Sequence, residues 1–214
     1  MTWYSVRCVF ERPDASLYAE RFTVWWTASI DDALVLAEQR AHAYEETAGW
    51  RYVGLAQAYW IGDEAPPDAQ PTPLDSGDEV FSLLRDSDLD PDGYVRRFFV
   101  TGRERHAAGD GPGWFTVRGV VEWPQEGTYE ERITLWAAES AAHAVAQAEQ
   151  EAAEYAEEII GGTYLGVAQP FFVGERPPVS GDEVFVLERV SDDDADRYVK
   201  AVFDTGRERT ATAE

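Results

Sequence analysis

An alternating run of aspartates is the first feature of this sequence with the residue types of a chemical site. Aspartate occupies every second position of 86–93, and a glycine ends the run, as in the first half of a calcium-binding loop. A loop that began at Asp88 would place Phe99 where a bidentate glutamate is needed, and Pro91 interrupts it. We therefore expect a solvated acidic turn here and predict no metal ion.

Two pairs of neighbouring carboxylates, at 78–79 and 130–131, have the composition of an acid–base site. Adjacent side chains of a strand point to opposite faces of its sheet, so neither pair forms a catalytic dyad. Glu20 and Glu131 occupy matching positions at the start of two predicted strands, where we expect a salt bridge or a buried carboxylate. Structural roles are predicted for all these acids.

The histidines and the cysteine do not complete a catalytic set either. His42, His106 and His143 fall at positions that do not match between the two halves of the chain, which excludes a symmetric histidine site. Cys8 lies on the apolar side of its predicted strand, as an inert buried thiol does. Because the sequence has no nucleophile elbow, phosphate-binding glycine loop or CxxC motif, it predicts a protein that is not an enzyme and needs no cofactor.

An internal repeat organises these residues. Residues that recur 111 positions later form the pairs Trp3/Trp114, Arg7/Arg118, Glu11/Glu122, Tyr18/Tyr129, Glu20/Glu131, Arg21/Arg132, Trp25/Trp136 and Ser29/Ser140. Two later segments, SGDEVF at 76–81 and TGRER at 101–105, recur 104 positions later. The repeat predicts two domains, 1–105 and 114–214, with a linker at 106–113, in a monomer that acts as an internal pseudo-dimer.

Each copy is predicted to fold as ββαβββ. Alternation predicts copy-one strands at 3–10, 20–27, 51–61, 78–85 and 94–101, and later copy-two strands at 163–173, 182–189 and 197–203. After the first two strands, Ser29 predicts the start of a helix and Gly49 its end, with an alanine-rich stripe between them. The fold class is therefore α+β, with one helix packed on an antiparallel sheet in each copy and a pseudo-two-fold between the copies.

Alternation also divides the first hairpin into two faces. The predicted core face holds Tyr4, Val6, Cys8, Phe10, Phe22, Val24 and Trp26. The predicted second face holds Trp3, Ser5, Arg7, Arg21, Thr23 and Trp25, and its equivalent in copy two holds Trp114, Thr116, Arg118, Arg132, Thr134 and Trp136. Tryptophan and arginine are enriched at interface hot spots, so each second face is either a recognition surface or is covered by the other copy.

Charge narrows the choice of partner. The chain has 18 basic and 41 acidic residues, a net charge of −23 that is spread over both copies. Such a field repels nucleic acid and anionic membranes, and it favours a basic protein or a cationic small molecule. A single cysteine, a start unlike a signal peptide, and the lack of an apolar run near the roughly 20 residues of a membrane span predict a cytoplasmic protein.

Several short motifs of copy two resemble a family of bacterial domains of unknown function. These motifs are WFT at 114–116, YEER at 129–132, an alanine- and glutamate-rich helix that ends in EY at 154–155, YLG at 164–166 and GDEVF at 181–185. Copy one is similar but has Ala19 in place of the first glutamate and a different helix end at 47–50. The resemblance implies a tandem pair of such domains and a cytoplasmic location, and it implies no activity.

The leading functional hypothesis is a non-catalytic cytoplasmic binding protein, immunity- or antitoxin-like, that neutralises a basic protein through an acidic surface anchored by tryptophans. The candidate binding residues are Trp3, Arg7, Glu20, Arg21, Trp25, Asp78, Trp114, Arg118, Glu131, Arg132, Trp136 and Asp182. The alternative hypothesis is sequestration of a small cationic aromatic ligand in a cleft between the two copies.

Overall fold

The structure, a computed structural model, describes residues 1–62, 64–66, 68–105, 109, 111–158 and 161–209, with only the backbone described at 46–48 and 105. Much of the predicted linker at 106–113, including His106, lies outside the described residues. The protein belongs to the α+β class, as predicted. None of its described helices combines the length and the hydropathy that crossing a lipid bilayer requires.

The two copies contribute strands and helices in the same order. Copy one contributes β1 (Thr2–Arg12), β2 (Leu17–Thr27), α1 (Ile30–Ala48), β3 (Arg51–Trp60), β4 (Glu79–Asp86), α2 (Pro91–Tyr94) and β5 (Glu104–Arg105). Copy two contributes β6 (Gly113–Trp123), β7 (Thr128–Ala138), α3 (Ala141–Glu158), β8 (Thr163–Gly174), β9 (Glu183–Val190), α4 (Ala195–Tyr198) and β10 (Glu208–Arg209). The short helices α2 and α4 continue into π-helical turns, Val95–Phe99 and Val199–Phe203.

Helix α1 begins and ends where the sequence predicts. The hydroxyl oxygen of Ser29 accepts a hydrogen bond from the backbone N–H of Asp32 at 3.1 Å, which satisfies one of the unpaired donors of the first turn. Gly49 ends the helix with a φ of 70°, a conformation that favours glycine. The buried residues of its inner face are Ala33, Ala37 and Ala41, whose small side chains let the helix approach the sheet closely.

The strands predicted at 94–101 and 197–203 are wrong, because both segments are helical. A carboxylate oxygen of Asp90 accepts from the backbone N–H of Gly93 at 2.6 Å, and Pro91 occupies the first helical position. Asp194 caps α4 in the same way. An aspartate followed by proline is a helix-start signal, and the aromatic run after it resembles a strand only in composition.

Each sheet takes strands from both copies. The strand orders are β3-β1-β2-β9-β5 and β8-β6-β7-β4-β10, so that exchanging the copies converts one order into the other. Strand β9 of copy two pairs antiparallel with β2, and β4 of copy one pairs antiparallel with β7. The boundary between the sequence repeats therefore does not separate the sheets.

The two sheets pack face to face, and each carries one long helix on its outer face. The interior between the sheets is aromatic: the ring centroids of Phe22 on β2 and Phe81 on β4 lie 4.8 Å apart. Helix α1 packs on the sheet of β1 and β2, and α3 packs on the sheet of β6 and β7. Tyr59 near the end of β3 donates to Glu79 at the start of β4 at 2.5 Å, so β3 and β4 are in contact although they belong to different sheets. The connection between them passes the start of β1, where Trp3 donates to the carbonyl of Thr72.

The predicted faces of the first hairpin are also wrong. Trp3 lies opposite Trp26 and Tyr4 lies opposite Trp25, so odd positions of β1 share a face with even positions of β2. Trp3, Ser5 and Arg7 point between the sheets, whereas Arg21, Thr23 and Trp25 lie on the side of α1. In copy two Trp114, Thr116 and Arg118 are likewise separated from Arg132, Thr134 and Trp136. Alternation reveals that two faces exist, but the register of the hairpin decides which residues of its two strands share one.

Strand exchange predicts the behaviour of the separate halves. A chain of residues 1–105 lacks β9, which lies beside β2, and a chain of residues 114–214 lacks β4, which lies beside β7. Only a second molecule could supply the missing strand. We therefore expect each half to be unfolded or dimeric, and the two halves to form a one-to-one complex when mixed. Size-exclusion chromatography with light scattering and circular dichroism would measure this. A half that is a folded monomer would contradict the expectation.

Candidate functional site

The candidate residue Glu20 lies at the centre of a buried ion cluster between the sheets. Its carboxylate accepts from Arg7 on the neighbouring strand, with the Nε of Arg7 at 2.9 Å, and from Arg189 on β9 of copy two. The hydroxyl of Tyr198 donates to the same carboxylate at 3.1 Å. Glu20 thus joins guanidinium groups from both copies.

Glu131 occupies the matching position in the other sheet. It accepts from Arg118 of its own copy and, at 2.6 Å, from Arg85 on β4 of copy one. Tyr94 donates to it at 2.9 Å. All the charged members of the two clusters are buried, with 1 to 6% of their surface exposed.

Two further glutamates complete the charge balance. Glu104 lies on the short strand β5, which pairs with β9, and its carboxylate is 3.3 Å from the guanidinium group of Arg189. In the other sheet Glu208 lies on β10, which pairs with β4, and its carboxylate is 2.9 Å from the guanidinium group of Arg85. Four arginines and four glutamates therefore form one neutral network. The backbone carbonyl of Phe98, in the π-helical turn of copy one, also accepts from Arg189 at 2.8 Å, so this turn holds the network in place.

This network is closed to ligands. The space left between the two clusters is about 10 Å³, which is room for a single water molecule. Burial alone would raise the pKa of Glu20, but Arg7 and Arg189 outweigh it and lower this pKa to about 2. Arg118 and Arg85 lower the pKa of Glu131 in the same way. Both carboxylates stay ionised and bound to arginines, so each is both buried and salt-bridged, the two arrangements that the sequence left open.

A second pair of matched arginines lies on the helix side of each sheet. In copy two Arg132 donates to Glu79 and to both carboxylate oxygens of Glu151 on α3, at 3.0 and 3.2 Å, and it stacks on the ring of Tyr155. In copy one Arg21 donates to Glu183 at 2.5 Å and to the hydroxyl of Tyr44 at 2.5 Å. Arg21 has no second carboxylate partner among the described residues, because Arg40 stands at the position that matches Glu151.

A cavity of about 140 Å³ opens beside Arg21, between α1 and the strands beneath it. Its lining residues are Cys8, Phe10, Arg21, Thr23, Ala37, Arg40, Ala41, Tyr44 and Glu183. The equivalent space beside Arg132 measures only about 10 Å³. The two copies therefore differ in the space that they leave for a small molecule between the long helix and its sheet.

The predicted tryptophan anchors are occupied by internal contacts. Trp3, Trp25 and Trp136 are buried, with 6 to 8% of their surface exposed. The indole N–H of Trp3 donates to the carbonyl of Thr72 at 2.7 Å, and those of Trp25 and Trp136 donate to threonine hydroxyls two residues earlier. Trp114 is partly buried against the core between the sheets. An exposed tryptophan face is therefore not present at these positions.

The candidate binding residues Asp78 and Asp182 stabilise turns. Asp182 accepts from the backbone N–H of Val179 at 2.9 Å and from Arg176 at 2.7 Å. Asp78 accepts from the backbone N–H of Asp75 at 2.8 Å. Each aspartate is partly exposed in the loop before an exchanged strand.

The acidic run at 86–93 is explained by pairing and capping. Asp86 lies 2.8 Å from Arg209, Asp88 lies 3.2 Å from Arg207, and Asp90 caps α2. No cluster of three or more histidine, cysteine, aspartate or glutamate residues with the geometry of a metal site occurs among the residues that the structure describes.

The sequence prediction missed half of the central network. Arg85 and Tyr94 in copy one, and Arg189 and Tyr198 in copy two, bind the two glutamates but were not among the candidates. Arg85 and Arg189 are 104 positions apart, as are Tyr94 and Tyr198, which is the spacing of the two SGDEVF segments. The sequence repeat therefore already identified these residues as matched. Because arginine is seldom buried, however, only the three-dimensional contacts show that these matched arginines bind the glutamates.

Comparison with known proteins leaves the family open: no family model, curated protein or solved structure matches the chain.

Removing one central carboxylate tests the network. Glu20→Gln keeps the volume of the side chain but leaves Arg7 buried without a counter-charge, so we expect the free energy of unfolding to fall by about 3–5 kcal/mol. The control is Glu157→Gln on the exposed face of α3, which should change it by no more than about 0.5 kcal/mol. Urea denaturation measures both. Equal effects of the two substitutions would show that the network does not stabilise the fold.

Acid should destabilise the protein through the same carboxylates. The pKa of Glu20 is about 2 in the folded chain, and that of Glu131 is also lowered, against about 4.3 for an unfolded glutamate. The unfolded chain therefore binds protons first, and the stabilisation present above about pH 5 is lost as the pH falls towards 2. Urea denaturation at pH 7, 4 and 3 should show a steady loss that is smaller in Glu20→Gln. A free energy of unfolding that does not change over this range would contradict the assignment.

Proposed function

We propose that the protein is a non-catalytic binding protein that captures a basic protein partner on an acidic surface, in the manner of an immunity or antitoxin protein. The observation that supports this most directly is where the charge lies. The central network of four arginines and four glutamates is neutral and buried, so the net charge of −23 belongs to the remaining side chains, most of them at the surface. A field of this size accelerates encounters with a basic protein.

The outer face of α1 supplies an apolar contact within this acidic surface. Val35 and Leu36 are 51 and 38% exposed, although they are large aliphatic residues. Ile30, in the first turn, is 44% exposed but lies on the helical stripe of Ala33 and Ala37, so it is not part of this contact. Asp31 and Asp32 are exposed beside Val35 and Leu36 in the first turn of the helix. An apolar centre with a charged rim is the usual composition of a protein interface.

The same face of α3 is different. The positions that match Val35 and Leu36 carry Ala146 and Gln147, so α3 has no large aliphatic residue at these two places. Since the two helices have equivalent places in the fold, packing does not require large residues there. We therefore assign the partner contact to α1, in place of the tryptophans that the sequence suggested, with the acidic rim setting the preference for a basic partner.

A matched pair of exposed glutamines allows a sharp test. Gln39 lies one helical turn after Val35 on the outer face of α1, and Gln150 is its equivalent on α3. A photo-crosslinking amino acid at position 39, expressed in the organism that encodes the protein, should trap one specific basic protein. The same amino acid at position 150 should not trap it.

The purified partner then provides the quantitative test. Binding should weaken steeply with added salt, and Val35→Glu should weaken it by about tenfold or more, as expected for a central interface residue. The matched substitution Ala146→Glu on α3 adds the same charge and should leave the affinity unchanged. An acidic or neutral crosslinked protein, equal crosslinking at both positions, or no crosslinked protein would each overturn the proposal.

A further inference from the structure

The cavity beneath α1 differs in its lining from the matching space beneath α3. In copy two the ring of Tyr164 lies over Gly119, close enough that a Cβ atom at that glycine would come within 3.4 Å of it, and the ring fills the space under α3. In copy one Cys8 stands in place of the glycine, and the equivalent Tyr52, which interacts with Cys8, packs its ring against Phe10 with ring centroids 5.6 Å apart. Tyr52 does not line the cavity. The space under α1 is therefore left open.

The charges around the cavity differ as well. Glu151, which pairs with Arg132 in copy two, is replaced in copy one by Arg40. Arg21 keeps its pairing with Glu183, but Arg40 makes no ion pair with any residue that the structure describes. Among the lining residues two guanidinium groups thus accompany one carboxylate, an excess of one positive charge inside a strongly acidic protein. Arg40 also interacts electrostatically with Asp182, which is not part of the lining.

The remaining walls are largely apolar. Phe10, Ala37 and Ala41 line the inner end, while Arg40 is exposed at the mouth. A cavity of about 150 Å³ is known to accept a benzene ring, and this one measures about 140 Å³. An anion with a compact apolar body matches both the size and the charge.

We propose that this cavity is a binding site for a small monocarboxylate with an aromatic or branched apolar body. The body lies against Phe10, Ala37 and Ala41, and the carboxylate lies between the guanidinium groups of Arg40 and Arg21. The ligand carboxylate takes the place that the Glu151 carboxylate occupies in copy two. The charge of the site is opposite to that of a site for the cationic aromatic ligand considered from the sequence.

Benzoate is the probe for the test, and benzamide is its neutral counterpart of the same shape. Isothermal titration calorimetry on the full chain should show one benzoate bound per molecule and no binding of benzamide at the same concentrations. Arg40→Glu restores the charge pattern of copy two and should weaken benzoate binding by about tenfold or more, because the charge-assisted contact is replaced by repulsion. Since Arg40 is exposed, this variant should keep the melting temperature of the parent.

A second pair of variants tests the space independently of charge. Ala37→Leu places three more carbon atoms in the open cavity, so it should abolish benzoate binding while the chain remains folded. Its match in copy two, Ala148→Leu, has no such space and should lower the melting temperature while leaving benzoate binding unchanged.

Several results would overturn the proposal. These are no benzoate binding at millimolar concentration, equal binding of benzamide, unchanged binding in Arg40→Glu, or binding of inorganic phosphate as tight as that of benzoate. The last result would mean that the apolar walls take no part in binding.

Discussion

The packing of the two sheets depends on the neutralisation of charges that lie between them. Placing an arginine or a glutamate in such an interior is costly unless each charge finds a partner, and here Glu20 and Glu131 each bind arginines from both copies. The aromatic side chains around the clusters exclude water, which strengthens these contacts and makes the loss of any one of them severe. The ion network therefore holds the two copies together, because some of its ion pairs join residues of different copies.

Strand exchange requires contacts of this kind between the two copies. Because β4 and β9 complete the sheet of the other copy, neither sequence repeat contains all the strands of one sheet. The route of the chain explains the exchange: β3 ends at the edge of its sheet, directly across from β4 in the facing sheet.

The two copies share their buried ion network but differ around α1. The buried network is the same in both, whereas α1 differs from α3 on its outer face and above the cavity beside Arg21. A close-packed interior tolerates few substitutions, so buried positions of duplicated domains stay similar, whereas positions outside the interior can change. Both proposed binding properties, the protein contact and the carboxylate site, lie on this one helix but on opposite sides of it.

Local features of this protein were determined by the sequence alone. Ser29 and Gly49 set the ends of α1, and the repeat marked Glu20 and Glu131 as positions with a shared structural role. Only the tertiary structure decided that Trp3 and Trp25 lie on different faces, that β4 and β9 exchange sheets, and that a cavity exists beside Arg21. Caps and periodicity act over a few residues, whereas the register of a hairpin and the partner of a strand depend on contacts between residues far apart in the chain.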